Sequence, residues 1–124
     1  MRRVLRIGHR GAAGHAPENT LAAIQKGIDL GVDFVEIDLR RTADGALVVL
    51  HDASVNRTTN GRGRIDRLSL DAVRKMDAGN GERIPTLAEV LAEVSSRRGR
   101  LLEIKVEGIA RQVVETVMAV RFSG

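Results

Sequence analysis

The 124-residue sequence predicts an α/β fold on a mainly parallel sheet of about four strands, and three observations predict it. Short apolar runs alternate with stretches of helical periodicity along the chain. Two of those runs, Phe34 to Leu39 and Leu101 to Val106, put aliphatic side chains on one face and charged side chains on the other. Capping residues stand between the runs where a strand-to-helix alternation needs them.

In chain order, Val4 to Gly8 is a short apolar run that ends in Gly8-His9-Arg10-Gly11, the pattern of a buried strand opening into a loop. Asn19 or Thr20 can cap a helix in which Leu21, Ile24 and Ile28 recur at helical spacing and Gly31 ends the run. In the second strand Val35, Ile37 and Leu39 share one face, and Phe34, Glu36 and Asp38 share the other. Asp44-Gly45 marks a tight turn before the apolar run Leu47 to Leu50 and the pair His51-Asp52. Asn56 to Asp66 is polar apart from Ile65 and reads as loop. Ser69 can cap a short helix carrying Leu70, Val73 and Met76, and Asp77 to Arg83 is a glycine-rich loop. Thr86 and Glu89 form a capping-box pattern after Pro85, opening a helix with Leu87, Val90, Leu91 and Val94 inward. Leu101 to Val106 repeats the two-faced pattern, with Glu103 and Lys105 opposite Leu102, Ile104 and Val106, and Ile109, Val113 and Val117 mark a last helix. Length and composition suit one soluble domain spanning residues 1–124, with a loop and small-helix insertion around 53–83.

Composition excludes several function classes. Cysteine is absent, so a bound metal must be a hard one held by oxygen and imidazole. The net charge of +4 favours anionic partners, yet the arginines are scattered and Phe34 and Phe122 are the only aromatic residues, which argues against nucleic acid. No apolar stretch reaches signal-peptide or membrane-spanning length, so a cytoplasmic protein without a membrane span is expected.

Glu36 and Asp38 stand at i and i+2, about 6 to 7 Å apart along the strand, close enough to share a cation. Two acids on a strand face are also what a solvated surface shows. A two-residue hairpin loop at Asp44-Gly45 would pair Ala43 with Ala46 and Asp38 with His51, bringing an imidazole to the carboxylate face. A longer return loop between parallel strands would also leave both on one side, and a surface role for His51 stays open. Glu103-x-Lys105 alone is most often a surface pair, but a packed parallel sheet buries aliphatic residues on both faces. Charges with the same parity on two strands therefore call for a bound cation and phosphate. His9-Arg10-Gly11 combines an imidazole, a guanidinium fork and a glycine that permits close approach. His15 reads as a loop histidine.

Eight motifs then stand in an order that resembles the glycerophosphodiester phosphodiesterase family: His9-Arg10-Gly11, Pro17-Glu18-Asn19-Thr20, Glu36-x-Asp38, Thr42-x-Asp44-Gly45, His51-Asp52, Arg57-Thr58-Thr59-Asn60-Gly61-x-Gly63, Ile84-Pro85-Thr86-Leu87-x-Glu89 and Glu103-x-Lys105. The resemblance implies a TIM-type (β/α)8 barrel of which this is the N-terminal half. It implies Glu36, Asp38 and Glu103 as metal ligands, His9 and His51 as the acid/base pair, and Arg10 and Lys105 as phosphate contacts. The implied reaction releases glycerol 3-phosphate and an alcohol from a glycerophosphodiester, with calcium or magnesium as cofactor and manganese also suitable. The stretch Asp77-Ala78-Gly79-Asn80-Gly81-Glu82 is shorter than the family commonly has and lacks its aromatic residue.

A complete barrel of this type takes about 250 residues, so a half barrel has open edges to cover. Either a missing C-terminal half or a second copy in a homodimer would cover them. Two rival readings are a phosphodiesterase acting on lysophospholipid or sphingomyelin head groups, and a catalytically silent half barrel that binds metal or phosphate or serves in assembly.

Overall fold

A computed structural model describes residues 7–8, 10–11, 14, 16–32, 34–96, 101–105 and 110–122, with backbone only for 8, 34, 95–96, 101–105, 110 and 119–122. The described residues form four strands, β1 (Ile7–Gly8), β2 (Phe34–Arg41), β3 (Leu47–Val49) and β4 (Leu101–Lys105). The helices are α1 (Leu21–Asp29), α2 (Leu70–Arg74), α3 (Leu87–Ser96) and α4 (Ala110–Phe122), with a 3-10 turn at Ile65–Arg67.

β2 is the centre of the sheet. Phe34 and Val35 pair in parallel with Ile7 and Gly8 on one side and with Leu101 and Leu102 on the other. The β4 register continues through Glu36 beside Glu103 and Asp38 beside Lys105. Among the described residues no strand pairs with the outer edges of β1 and β4.

The hairpin corrects one expectation. β3 runs antiparallel to the end of β2 with Leu39 opposite Val49 and Arg41 opposite Leu47. The loop therefore has three residues, closed by Thr42 N–H on the Ala46 carbonyl at 2.9 Å, and the register differs by one residue from a two-residue loop. Leu50, not His51, faces Asp38, and its N–H donates to the Asp38 carbonyl at 2.9 Å. The cause lies in the turn. Asp44 accepts from the Thr42 hydroxyl at 2.6 Å and from Leu70 N–H at 3.1 Å, while Gly45 takes the left-handed conformation (φ +85°) that ends a three-residue hairpin.

The outer face of β2 follows its sequence parity, with Val35, Ile37 and Leu39 buried against Ile24 and Ile28 of α1, Leu87, Val90 and Val94 of α3, and Val113 of α4. Burying each such side chain contributes about 1.5 to 3 kcal/mol. A second core lies under the 53–83 segment, formed by Val48, Leu50, Val55, Ile65, Val73, Ala78 and Ile84. β3 alternates between the two cores, with Leu47 and Val49 in the first and Val48 and Leu50 in the second.

Helix starts match their side-chain chemistry. The Thr20 hydroxyl accepts from Ala23 N–H at 3.3 Å, and the Ser69 hydroxyl accepts from Ala72 N–H at 3.2 Å. Thr86 and Glu89 exchange hydrogen bonds, Thr86 N–H to Glu89 Oε1 at 3.0 Å and Glu89 N–H to Thr86 Oγ1 at 3.2 Å. The start of α1 also receives a distant carboxylate, because Ala22 N–H donates to Glu82 Oε1 at 2.9 Å. Among the described residues no helix is long and apolar enough to cross a membrane.

Candidate active site

Glu36 and Asp38 occupy the face of β2 opposite its aliphatic layer, and both are largely removed from solvent, at 7% exposure for Glu36 and 13% for the Asp38 side chain. Ionised carboxylates so placed need compensation. For Asp38 it comes from the loop between β1 and α1. Asn19 Nδ2 donates to Asp38 Oδ2 at 3.1 Å, and Arg10 Nε lies 3.7 Å from the same oxygen.

That loop adopts a conformation few side chains tolerate. Arg10 and Asn19 both have left-handed backbone, at φ 51° and 56°, and Asn19 N–H donates to the Arg10 carbonyl at 2.8 Å. Each such residue costs about 1 to 2 kcal/mol, somewhat less for Asn. Gly11, also at positive φ, donates its N–H to the Glu36 carbonyl at 3.2 Å and ties the loop to β2. Strain of this kind is retained where a side chain has to be held in a set place. Asn19 Oδ1 is a buried acceptor with no hydrogen-bond partner among the described residues.

A second cluster follows β3. His51 Nδ1 lies 2.8 Å from Asp52 Oδ1, and Arg57 grips Asp52 through Nε to Oδ2 at 2.8 Å and Nη2 to Oδ1 at 3.0 Å. The same guanidinium reaches Glu18, with Nη1 to Oε1 at 2.7 Å and Nη2 to Oε2 at 3.0 Å. Arg10 Nη1 then donates to Glu18 Oε2 at 3.2 Å. A continuous chain of charged contacts thus runs from His51 through Asp52, Arg57, Glu18 and Arg10 to Asp38. The Arg57 hydrogen bonds are the main cause that holds Asp52 well below the usual carboxylate range, with His51 adding to it. Glu18 is lowered chiefly by the same arginine, and Arg57 is in turn raised by Asp52 first and Glu18 second. Asp52 is therefore an acceptor only, so Nδ1 of His51 carries the hydrogen, and whenever the ring is neutral Nε2 presents its lone pair.

Of the residues the sequence singled out, the structure brings Glu36, Asp38 and Arg10 together. His51 is not the cross-strand partner of Asp38 and is linked to it through the chain Asp52, Arg57, Glu18 and Arg10. His9 and His15 lie outside the described residues, as do the side chains of Glu103 and Lys105, whose backbone positions stand beside Glu36 and Asp38. Among the described residues no group of three His, Asp or Glu side chains is assembled to hold a metal. Sequence reasoning gave no part in the chemistry to Glu18, Asn19, Asp52 or Arg57, and offered Asn19 only as a helix cap, a place that Thr20 takes. Their signal was present in the Pro17-Glu18-Asn19-Thr20 and Arg57-to-Gly61 runs, but the pairing of two loops 39 residues apart has no local periodicity to reveal it.

Among the solved structures that this chain resembles are phosphodiesterases. One is glycerophosphodiester phosphodiesterase from Agrobacterium tumefaciens, 35% identical with a TM-score of 0.84 over 95% of this chain and 54% of that one. Another is a phosphodiesterase from Oleispira antarctica in complex with the product sn-glycerol-3-phosphate, 36% identical with a TM-score of 0.82 over 94% of this chain and 51% of that one. The shared fold is a TIM-type barrel of which this chain covers about half. Among curated proteins, glycerophosphodiester phosphodiesterase of Caldanaerobacter subterraneus is 38% identical across 97% of this chain and 55% of its own length. Glycerophosphodiester phosphodiesterase 1 of Bos taurus is 47% identical across 73% of this chain and 30% of its own length. The sequence profile of the glycerophosphoryl diester phosphodiesterase family matches residues 9–122. The chain belongs to that family, and it spans about half the length, or less, of the relatives it matches.

Proposed function

We propose that the chain supplies the metal-binding and proton-transferring half of a glycerophosphodiester phosphodiesterase, which adds water to a glycerophosphodiester and releases glycerol 3-phosphate and an alcohol. The single observation that carries this reading is the shielded Glu36 and Asp38 pair on β2, with Asp38 clasped by Asn19 and Arg10 from the adjoining loop. Barrel enzymes of this type place their chemistry at the C-terminal ends of the strands, where this loop lies. The sn-glycerol-3-phosphate bound as product in the Oleispira relative supports this choice of product.

Enzymes of the family generally depend on a divalent metal. The donors present fit such an ion: hard carboxylate oxygens, no cysteine in the chain, and the buried Asn19 Oδ1 still able to accept. Glu36, Asp38 and Glu103 would hold it, and calcium or magnesium suits an all-oxygen set, with manganese also acceptable. When bound it supplies charge stabilisation at the phosphoryl oxygens. His51 holds or passes a proton at Nε2 while Asp52 keeps Nδ1–H in place, and His9 is the second member of the acid/base pair. Arg10 and Lys105 contact the phosphate. As the P–O bond to the departing alcohol breaks, that alcohol takes up a proton from one imidazole, and the attacking water gives one to the other.

The 124 residues are read as one partial domain, with the 53–83 segment as its insertion, in a cytoplasmic setting. The outer edges of β1 and β4, unpaired among the described residues, call for cover, either by a C-terminal half or by a second copy in a homodimer. Hydrolysis of glycerophosphocholine by the purified chain, with calcium, with magnesium or with EDTA and beside its mass by sedimentation, tests the reading. Turnover that EDTA abolishes supports it. A stable assembly that binds metal but turns over nothing would favour the silent half barrel instead.

A further inference from the structure

Arg57 takes no part in the reaction outlined above, yet it makes four hydrogen bonds to two carboxylates at the edge of the site, between 2.7 and 3.0 Å long. Its side chain is 49% exposed, and exposed ion pairs contribute about 0 to 1 kcal/mol, so stability is a weak reason for a guanidinium held so fully. The geometry points to a different one. We propose that Arg57 is a positioning residue: by clasping Asp52 and Glu18 in one planar fork, it sets the tautomer and orientation of the His51 ring relative to the loop between β1 and α1. This role rests on the acid/base reading of His51.

The backbone and the ring of His51 are fixed by different partners. Its carbonyl accepts from Arg40 Nε at 3.0 Å and Nη2 at 2.8 Å, which sets where the chain passes. The ring, 44% exposed, is oriented by Asp52 Oδ1, and that oxygen is shared between His51 Nδ1 and Arg57 Nη2. The other Asp52 oxygen is taken by Arg57 Nε, so both ends of the carboxylate are pinned by one side chain. Without Arg57, Asp52 keeps only His51 of its side-chain partners among the described residues and loses the cation that it shares with Glu18. Glu18 is the far anchor. Its Oε2 accepts from both Arg57 and Arg10, so the orientation of the ring is referred to the same loop that clasps Asp38.

The tautomer of His51 is directly readable, because the chain has three histidines. With 15N-labelled histidine in the full chain at about pH 8, where imidazole is ordinarily neutral, the two ring nitrogens report which carries the hydrogen. The His51 signals are assigned by their loss in His51→Asn. In the parent chain Nδ1–H is expected to dominate. Asp52→Asn and Arg57→Gln should each move the ring towards the Nε2–H form, Arg57→Gln by at least half the change that Asp52→Asn produces. Arg57→Lys should fall between, since an ammonium is a point charge and cannot grip two carboxylates as a fork. It also carries the test if the glutamine variant does not fold. A parental tautomer balance in Arg57→Gln, or in Asp52→Asn, would overturn the proposal. Hydrolysis at the parental rate by His51→Asn would overturn the acid/base reading, and with it this role.

Discussion

Replacing Gly11 by Ala isolates what the approach of the β1–α1 loop to α1 is worth. A Cβ at this position would lie 2.7 Å from the Ala23 carbonyl carbon, 2.8 Å from Ala23 Cβ and 2.8 Å from Ile24 N. Those atoms belong to a helix backbone and a buried core position, so none can swing aside. Two penalties add: about 1 to 2 kcal/mol for an L-residue at a left-handed φ, here +78°, and about 1 to 3 kcal/mol for overpacking. The sum, about 2 to 5 kcal/mol, is a large share of the roughly 5 to 15 kcal/mol that holds a typical domain folded. Gly45→Ala is the control, because φ there is +85° with nothing within 4 Å of an added Cβ, and the first penalty alone applies. Gly14→Ala meets nothing within 4 Å and has no left-handed φ, so it should be neutral or slightly stabilising. Urea unfolding of the three variants, with slopes checked against the parent, gives the comparison. If Gly11→Ala costs no more than Gly45→Ala, the packing of loop on helix does not have the rigidity argued for it.

Three further outcomes follow from the site. Asn19→Gly keeps the left-handed backbone at no strain but removes the amide on Asp38, and calcium affinity by calorimetry should fall about 10- to 100-fold, as for other residues that orient a metal ligand; unchanged affinity would mean that the amide orients nothing. Asp38→Asn should abolish that binding, and retention at parental affinity would remove Asp38 from the ligand set. Because Glu18 and Asp52 titrate below their ordinary values of 4.5 and 3.8, their contribution to stability is complete above those values and is lost as pH falls below them. Unfolding measured between about pH 3 and 6 should therefore show an acid loss that is shallower in Arg57→Gln than in the parent; equal slopes would show that Arg57 is not what depresses the two carboxylates.

The parts of this fold that were legible in the sequence are those governed by near neighbours. The alternation of Val35, Ile37 and Leu39 against Glu36 and Asp38 reports a two-faced strand, because side chains along a strand have a period of two. Thr20, Ser69 and Thr86 with Glu89 mark helix starts, because an orphan N–H must be satisfied within a turn. The hairpin was misread by one residue. Asp44-Gly45 signals a turn in either case, and the choice between two and three loop residues depends on where the Asp44 carboxylate is drawn, here partly to Leu70, which no local pattern discloses. Arg57 escaped for a related reason. Its partners Asp52 and Glu18 lie in separate loops, and only the tertiary fold brings them to one guanidinium.

The side chains of β3 are buried on both faces of the strand. Its alternate side chains enter separate cores, so the strand is a party wall, and the 53–83 segment is a buttress on its far side. Excising that segment would strip Val48 and Leu50 of their cover and leave a bare apolar strip directly before His51. The imidazole therefore inherits its place from both halves of the molecule. Local opening of the buttress and loss of the histidine's position should be one cooperative event, with β3 amide protons exchanging no faster than those of β2.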